Sequence, residues 1–124
     1  MDTARHAAMA AIVEVTSENI GGLFSRPSLI VMWCVQTSAP WHAFARIYGR
    51  IANRYPQVVF GVIDVEREAS LAAACAVTDV PMLMAFGGGR LRFARMGFEV
   101  EDSLEAIAQA LGQLAARLSV TPAA

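Results

Sequence analysis

Apolar positions along this chain follow two rhythms. Short unbroken runs read as strands buried on both faces, and runs spaced by three and four read as amphipathic helices. Ile12–Val15 is a brief strand-like run, and Thr16-Ser17-Glu18 follows as a helix start with Thr16 or Ser17 as N-cap. Gly21-Gly22 and Ser25-Arg26-Pro27 keep that helix short. Leu29–Cys34 (LIVMWC) predicts a central strand. After a polar stretch, Pro40 suits the first turn of a helix, with Ser38 or Thr37 as its cap. Trp41, Phe44, Ile47/Tyr48, Ile51 and Tyr55 then mark one helical face, which Tyr55-Pro56 ends.

Val58–Val65 predicts a second buried strand, and alanine-rich Glu66–Val77 a helix. Val80–Phe86 reads as a strand with proline at its start. Gly87-Gly88-Gly89 is a hairpin turn into a further strand, Arg90–Met96, which Gly97 breaks. Asp102 or Ser103 then caps a last helix with Leu104, Ile107, Ala108, Leu111, Leu114 and Leu118 on its apolar face, before a frayed tail at Thr121–Ala124. The order β-α-β-α-β-α-β-β-α implies parallel crossovers plus antiparallel edge strands. This is the α/β class, a mixed central sheet with helices on both faces.

Composition narrows the function classes. The chain has 124 residues, 56% of them hydrophobic and 17% charged, which places it on the ordered side and predicts one domain, 1–124. A net charge of -1 gives no electrostatic case for nucleic acid or an anionic membrane. The apolar runs are too short to span a bilayer, and Arg5, His6 and Glu14 interrupt the N-terminal stretch, so the expectation is a cytoplasmic protein without a signal peptide. The two cysteines, Cys34 and Cys75, are too far apart for a CxxC motif and too few for a zinc site, so no metal or other cofactor is expected.

The element order and several local stretches resemble the thioredoxin family. VEVTSENI resembles its first strand and helix start, RPSLIVMWC its central strand, and RIYGRIANRYP the end of its long second helix. DVPMLMAFGGGR resembles the segment that carries the family's cis-proline, and RMGFEVEDSLEAIAQAL its last strand and terminal helix. The resemblance covers about residues 9–118 and implies the thioredoxin fold, with that stretch as the core of the domain. It places Ser38-Ala39-Pro40-Trp41 at the four positions of the family's Cys-Gly-Pro-Cys. A register counted forward from Pro27 slips by one, to Thr37, and also recovers no cysteine; the proline match favours the first. The same resemblance sets Met32 and Val62 where the family keeps a buried Asp and its Lys partner.

The missing thiols matter chemically. A thioredoxin needs a low-pKa thiolate at a helix N-terminus and a second thiol to resolve the mixed disulfide. A Ser38 hydroxyl without a general base is no comparable nucleophile, and Trp41 resolves nothing. No catalytic residue is therefore assigned. Trp41 reads either as an exposed docking anchor or as the first core residue of its helix. Val80 and Pro81 fit the family's backbone contact with an extended peptide. Trp41, Val80, Pro81 and Met96 are expected to converge into one peptide-binding patch. Cys34 and Cys75 are the candidate redox residues, each more simply read as a core side chain. His42 reads as a solvated helix residue. Arg46, Arg50 and Arg54 form a stripe that is a solvated face or an acidic-partner site, and Met9, Met82, Met84 and Met96 read as core filling.

These readings lead to a redox-inactive thioredoxin-like module that binds a protein or peptide, as chaperone, adaptor or assembly factor. The alternative is a thiol-disulfide oxidoreductase acting in cell redox homeostasis through Cys34 or Cys75. Homodimerisation through the same surface is a third reading.

Overall fold

The computed structural model describes residues 11–96 together with residues 113, 116 and 117. Among the described residues five strands form one sheet: β1 (Ile12–Glu14), β2 (Ser28–Cys34), β3 (Val59–Asp64), β4 (Met82–Gly87) and β5 (Arg90–Met96), in the spatial order β1-β3-β2-β4-β5. β1, β3 and β2 run parallel, and β4 and β5 add antiparallel edges. Three helices connect them: α1 (Ile20–Phe24), α2 (Ala39–Arg54) and α3 (Ala69–Ala74). The expected last helix lies outside the described residues, apart from Gln113, Ala116 and Arg117, which are helical. Gly97, the tail and Met9 also lie outside them.

β2 is buried along its whole length. Its pleat sends Ile30, Met32 and Cys34 to one face, where Trp41, Phe44, Tyr48 and Ile51 of α2 cover them. Leu29, Val31 and Trp33 point to the other face and meet Ala72 of α3, Met82 and Met84, with Leu23 and Phe24 of α1 at the margin. Two apolar layers therefore sandwich one sheet, which is why β2 carries no alternation of polar residues. Tyr48 fixes α2 against the sheet: its hydroxyl lies 2.8 Å from the Gly61 carbonyl oxygen, to which it donates, and 3.2 Å from that of Ile30.

Three expectations about elements need correction. Gly21 and Gly22 lie inside α1 rather than ending it, because Ile20, Leu23 and Phe24 pack against the lower core and that packing outweighs propensity. Thr16 and Ser17 precede that helix in a turn, closed by Thr16 N–H donating to Asn19 Oδ1 over 2.8 Å. Helix α3 is shorter than Glu66–Val77. Asp64 Oδ1 accepts the Glu66 amide at 2.9 Å and holds a turn before the helix. Ala76, at φ 56°, closes it in the left-handed conformation, with Val77 N–H donating to Ala72 O and Ala76 N–H to Ala73 O. β4 begins at Met82 rather than Val80, since Pro81 has no N–H to give a ladder.

The hairpin turn is two residues long. Gly87 pairs with Arg90, and Gly88 and Gly89 take φ values of 58° and 81°, the mirror-image turn that matches strand twist.

Candidate functional site

The strand ends define the place. Cys34, the last residue of β2, pairs with Asp64, the last of β3, while Trp33 lies opposite Met82 at the start of β4. The loop that follows β2 and the Val80-Pro81 segment that precedes β4 therefore sit at one end of the sheet. Met82 pairs with Met96, which brings the end of β5 there too. In open α/β sheets ligand sites gather beyond such strand ends.

Ser38 N–H donates to the Val35 carbonyl at 2.9 Å, which turns the chain out of β2. Ser38 is extended (φ -77°, ψ 150°) and its Oγ accepts the Trp41 amide at 3.3 Å. The residue at the expected nucleophile position thus serves as the N-cap of α2, with Pro40 in the first turn. Ala39 is exposed and Ser38 half-buried.

Trp41 is not on the surface. It is 4% exposed and packs with Met32, Cys34 and Phe44, its ring edge-on to Tyr48 at 6.1 Å and 70°. The expected patch of Trp41, Val80, Pro81 and Met96 therefore loses its anchor. The physical reason is register: positions 41, 44, 48 and 51 share the sheet-facing stripe of α2, so Trp41 takes the core reading. Val80 is 38% exposed, Pro81 is half-buried, and the peptide bond between them is cis. Neither the amide nor the carbonyl of Val80 is hydrogen-bonded within the described residues. Met96 occupies its place on β5, with its side chain outside the described residues.

The two cysteines are separated by the sheet. Both are free thiols. Cys34 lies in the layer under α2, 3% exposed, and Cys75 packs half-buried against the layer on the opposite face. Burial pushes the Cys34 thiol up to about 12, with the Asp64 and Glu14 carboxylates adding to the rise. A thiol so raised stays protonated across physiological pH. Met32 and Val62 lie directly opposite one another, 1% and 3% exposed, in the same apolar layer. Among the described residues no carboxylate or amine belongs to that layer to relay a proton.

His42, Arg46, Arg50 and Arg54 are all exposed on α2, and Met82 and Met84 are core residues. Among the described residues no cluster of His, Cys, Asp and Glu could hold a metal ion, and no helix is long and apolar enough to cross a membrane.

Two features were not foreseen from the sequence. One is the Tyr48 hydroxyl bridging β2 and β3, signalled only by a tyrosine on an otherwise apolar stripe, whose buried hydroxyl needs a partner. The other is the carboxylate pair that acts on Cys34, which only the strand register reveals.

This sheet order, with a Ser-Ala-Pro-Trp helix start beside a Val-Pro turn, defines a thioredoxin fold without the dithiol. The comparisons agree on the fold. A point mutant of thioredoxin from Halobacterium salinarum superposes with a TM-score of 0.74 at 19% identity, over 90% of this chain and 94% of that one. Oxidised thioredoxin from Plasmodium falciparum gives 0.72 at 20% identity, over 88% and 99%, and thioredoxin from Trypanosoma brucei brucei 0.70 at 19%, over 86% and 88%. No family model matches the chain. The protein called "Putative thioredoxin 2" of Streptomyces coelicolor is 30% identical over 101 residues, 77% of this chain and 72% of that protein. The chain belongs to the thioredoxin family.

Proposed function

We propose that this protein is a redox-inactive, cytoplasmic binding module, a single domain over 1–124 that holds a protein or peptide segment at the Val80-Pro81 end of the sheet as a chaperone, adaptor or assembly factor. The observation that carries this reading is Trp41. A buried indole stands where a dithiol enzyme needs its resolving thiol, and the neighbouring hydroxyl is committed to capping α2. Val80, 38% exposed and with neither its amide nor its carbonyl hydrogen-bonded among the described residues, supports an extended segment adding alongside it in β-fashion. Two free thiols suit a reducing compartment.

A second reading, thiol-disulfide oxidoreductase, draws on the name of the Streptomyces relative and on Cys75, which is only half-buried. Insulin reduction separates the two. The first reading expects turnover at the background rate with dithiothreitol, and Cys75→Ser without effect. Turnover abolished by Cys75→Ser or Cys34→Ser establishes the second. Peptide capture is checked with an unfolded, cysteine-free polypeptide. Val80→Pro, which removes the amide, should weaken its binding while the melting temperature holds. Unchanged binding removes the docking role from Val80.

A further inference from the structure

Charge is unevenly distributed along the sheet. Every Asp and Glu among the described residues stands at the end where β1, β3 and β2 finish and β4 starts. Glu14 closes β1, Glu18 follows it, Asp64 closes β3, Glu66 and Glu68 lead into α3, and Asp79 lies just ahead of β4. Arg67, which pairs with Glu14 at 3.6 Å, belongs to the same loops, and Arg95 takes a place on β5 opposite Leu83. The other end holds Arg26 ahead of β2, with Arg90 and Arg92 after the glycine turn. Two of the carboxylates already serve the fold: Glu68 accepts the Ser17 amide at 2.9 Å, and Asp64 accepts that of Glu66 at 2.9 Å. Asp79 does not. It is exposed, it makes no hydrogen bond or ion pair among the described residues, and it is the chain neighbour of Val80.

We propose that the extended segment taken at Val80 is a basic one, with a Lys or Arg of that segment set against Asp79. The inference rests on Val80-Pro81 being the docking point and adds the chemical class of what docks there. Open backbone groups set the register. Pro81 has no N–H to offer and the Val77 N–H is donated to Ala72, whereas Val80 presents an unused amide and an unused carbonyl together. An antiparallel segment that exchanges both bonds with Val80 brings its next residue opposite Asp79, at a position where cross-strand side chains approach most closely. A carboxylate there favours an opposite charge and opposes a like one. The remaining carboxylates of this end add a field of the same sign, which draws cations towards it and repels an acidic segment or a nucleic acid.

Three short, labelled, cysteine-free peptides probe the full chain, with Lys, Gln or Glu at every second position and threonine between. Fluorescence anisotropy at about 50 mM salt should rank them Lys, Gln, Glu, the first about tenfold tighter than the last, with the gap closing at about 300 mM. Asp79→Asn should weaken the Lys peptide about threefold and leave the Gln peptide unchanged. Asp79→Lys should reverse the order, and Arg92→Gln, at the far end, should alter nothing. Circular-dichroism melts check that each variant is folded, and a shift of the Val80 amide resonance on adding the Lys peptide locates the contact. If the three peptides bind equally and all are weakened by Val80→Pro, the docking point stands and the basic-ligand inference is overturned. If none binds, or if Val80→Pro leaves the Lys peptide bound as before, the docking reading and this inference fall together. A preference for the Lys peptide that Asp79→Lys does not change also overturns it. So does self-association of the chain that Asp79→Lys abolishes, which would give the place to a second copy.

Discussion

An indole enclosed on all sides is among the costliest side chains to remove, and Trp41 is enclosed by Met32, Cys34, Phe44 and Tyr48. Trp41→Ala is therefore expected to destabilise the fold by about 3–5 kcal/mol, read as a lowered urea midpoint. A variant that melts like the native protein would return Trp41 to the surface. Cys34 makes a second prediction at the same scale, with its sign fixed by linkage. The unfolded thiol ionises near its ordinary value of 9.0 and the folded one near 12, so its contribution is fully present below pH 9 and is lost as pH rises from there towards 12. Tyr48, whose hydroxyl is likewise held protonated by burial, adds to the same loss. The stability of Cys34→Ala should fall less steeply above about pH 9 than that of the native chain, measured by denaturant melts at stepped pH. Parallel curves would mean that the thiol is hydrated in the folded state.

Helix α3 ends on an alanine in the left-handed region, a conformation that costs an L-residue roughly 1–2 kcal/mol and glycine nothing. Against that gain stands the greater freedom of glycine in the unfolded chain, so Ala76→Gly should stabilise by about 0.5–1 kcal/mol. Thermal melts check the sign; destabilisation would mean that the Ala76 methyl packs in the native state. This closure also shows where sequence reading stops short. The strands β2 and β3 were legible because both their faces are apolar, and the glycine hairpin because Gly88 and Gly89 suit a turn that other residues resist. The ends of α3 were not, since they depend on the Asp64 carboxylate capturing an amide and on an alanine accepting an unfavourable φ. Helix α1 misled for the opposite reason: its glycines argue locally against a helix that packing then imposes.

At the scale of the molecule, the site and the core are the same object. The sequence alone told that the dithiol was absent, and the resemblance aligned Met32 and Val62 with the family's buried charges. Neither told that Trp41, Cys34, Met32 and Val62 form one apolar layer, because the two readings of Trp41 differ only in which way α2 faces. This continuity decides what restoring the dithiol would do. In Ser38→Cys/Trp41→Cys the helix N-terminus still favours a thiolate at 38, and a disulfide between residues three apart is expected to form. The second substitution, however, replaces a buried indole by a small side chain, so the variant should be destabilised by about 3 kcal/mol or more. Adding Met32→Asp places a carboxylate opposite Val62 with no amine to meet it, and a lone buried charge is expected to cost about 3–5 kcal/mol further or to stay protonated. Insulin reduction by the double variant should remain far below that of an ordinary thioredoxin, and the triple variant should melt well below the double. A triple variant as stable as the double would show that the layer under α2 admits water. High turnover by the double variant would show that the dithiol works here without a buried carboxylate, and that its two thiols were the one part of the chemistry this chain lacked.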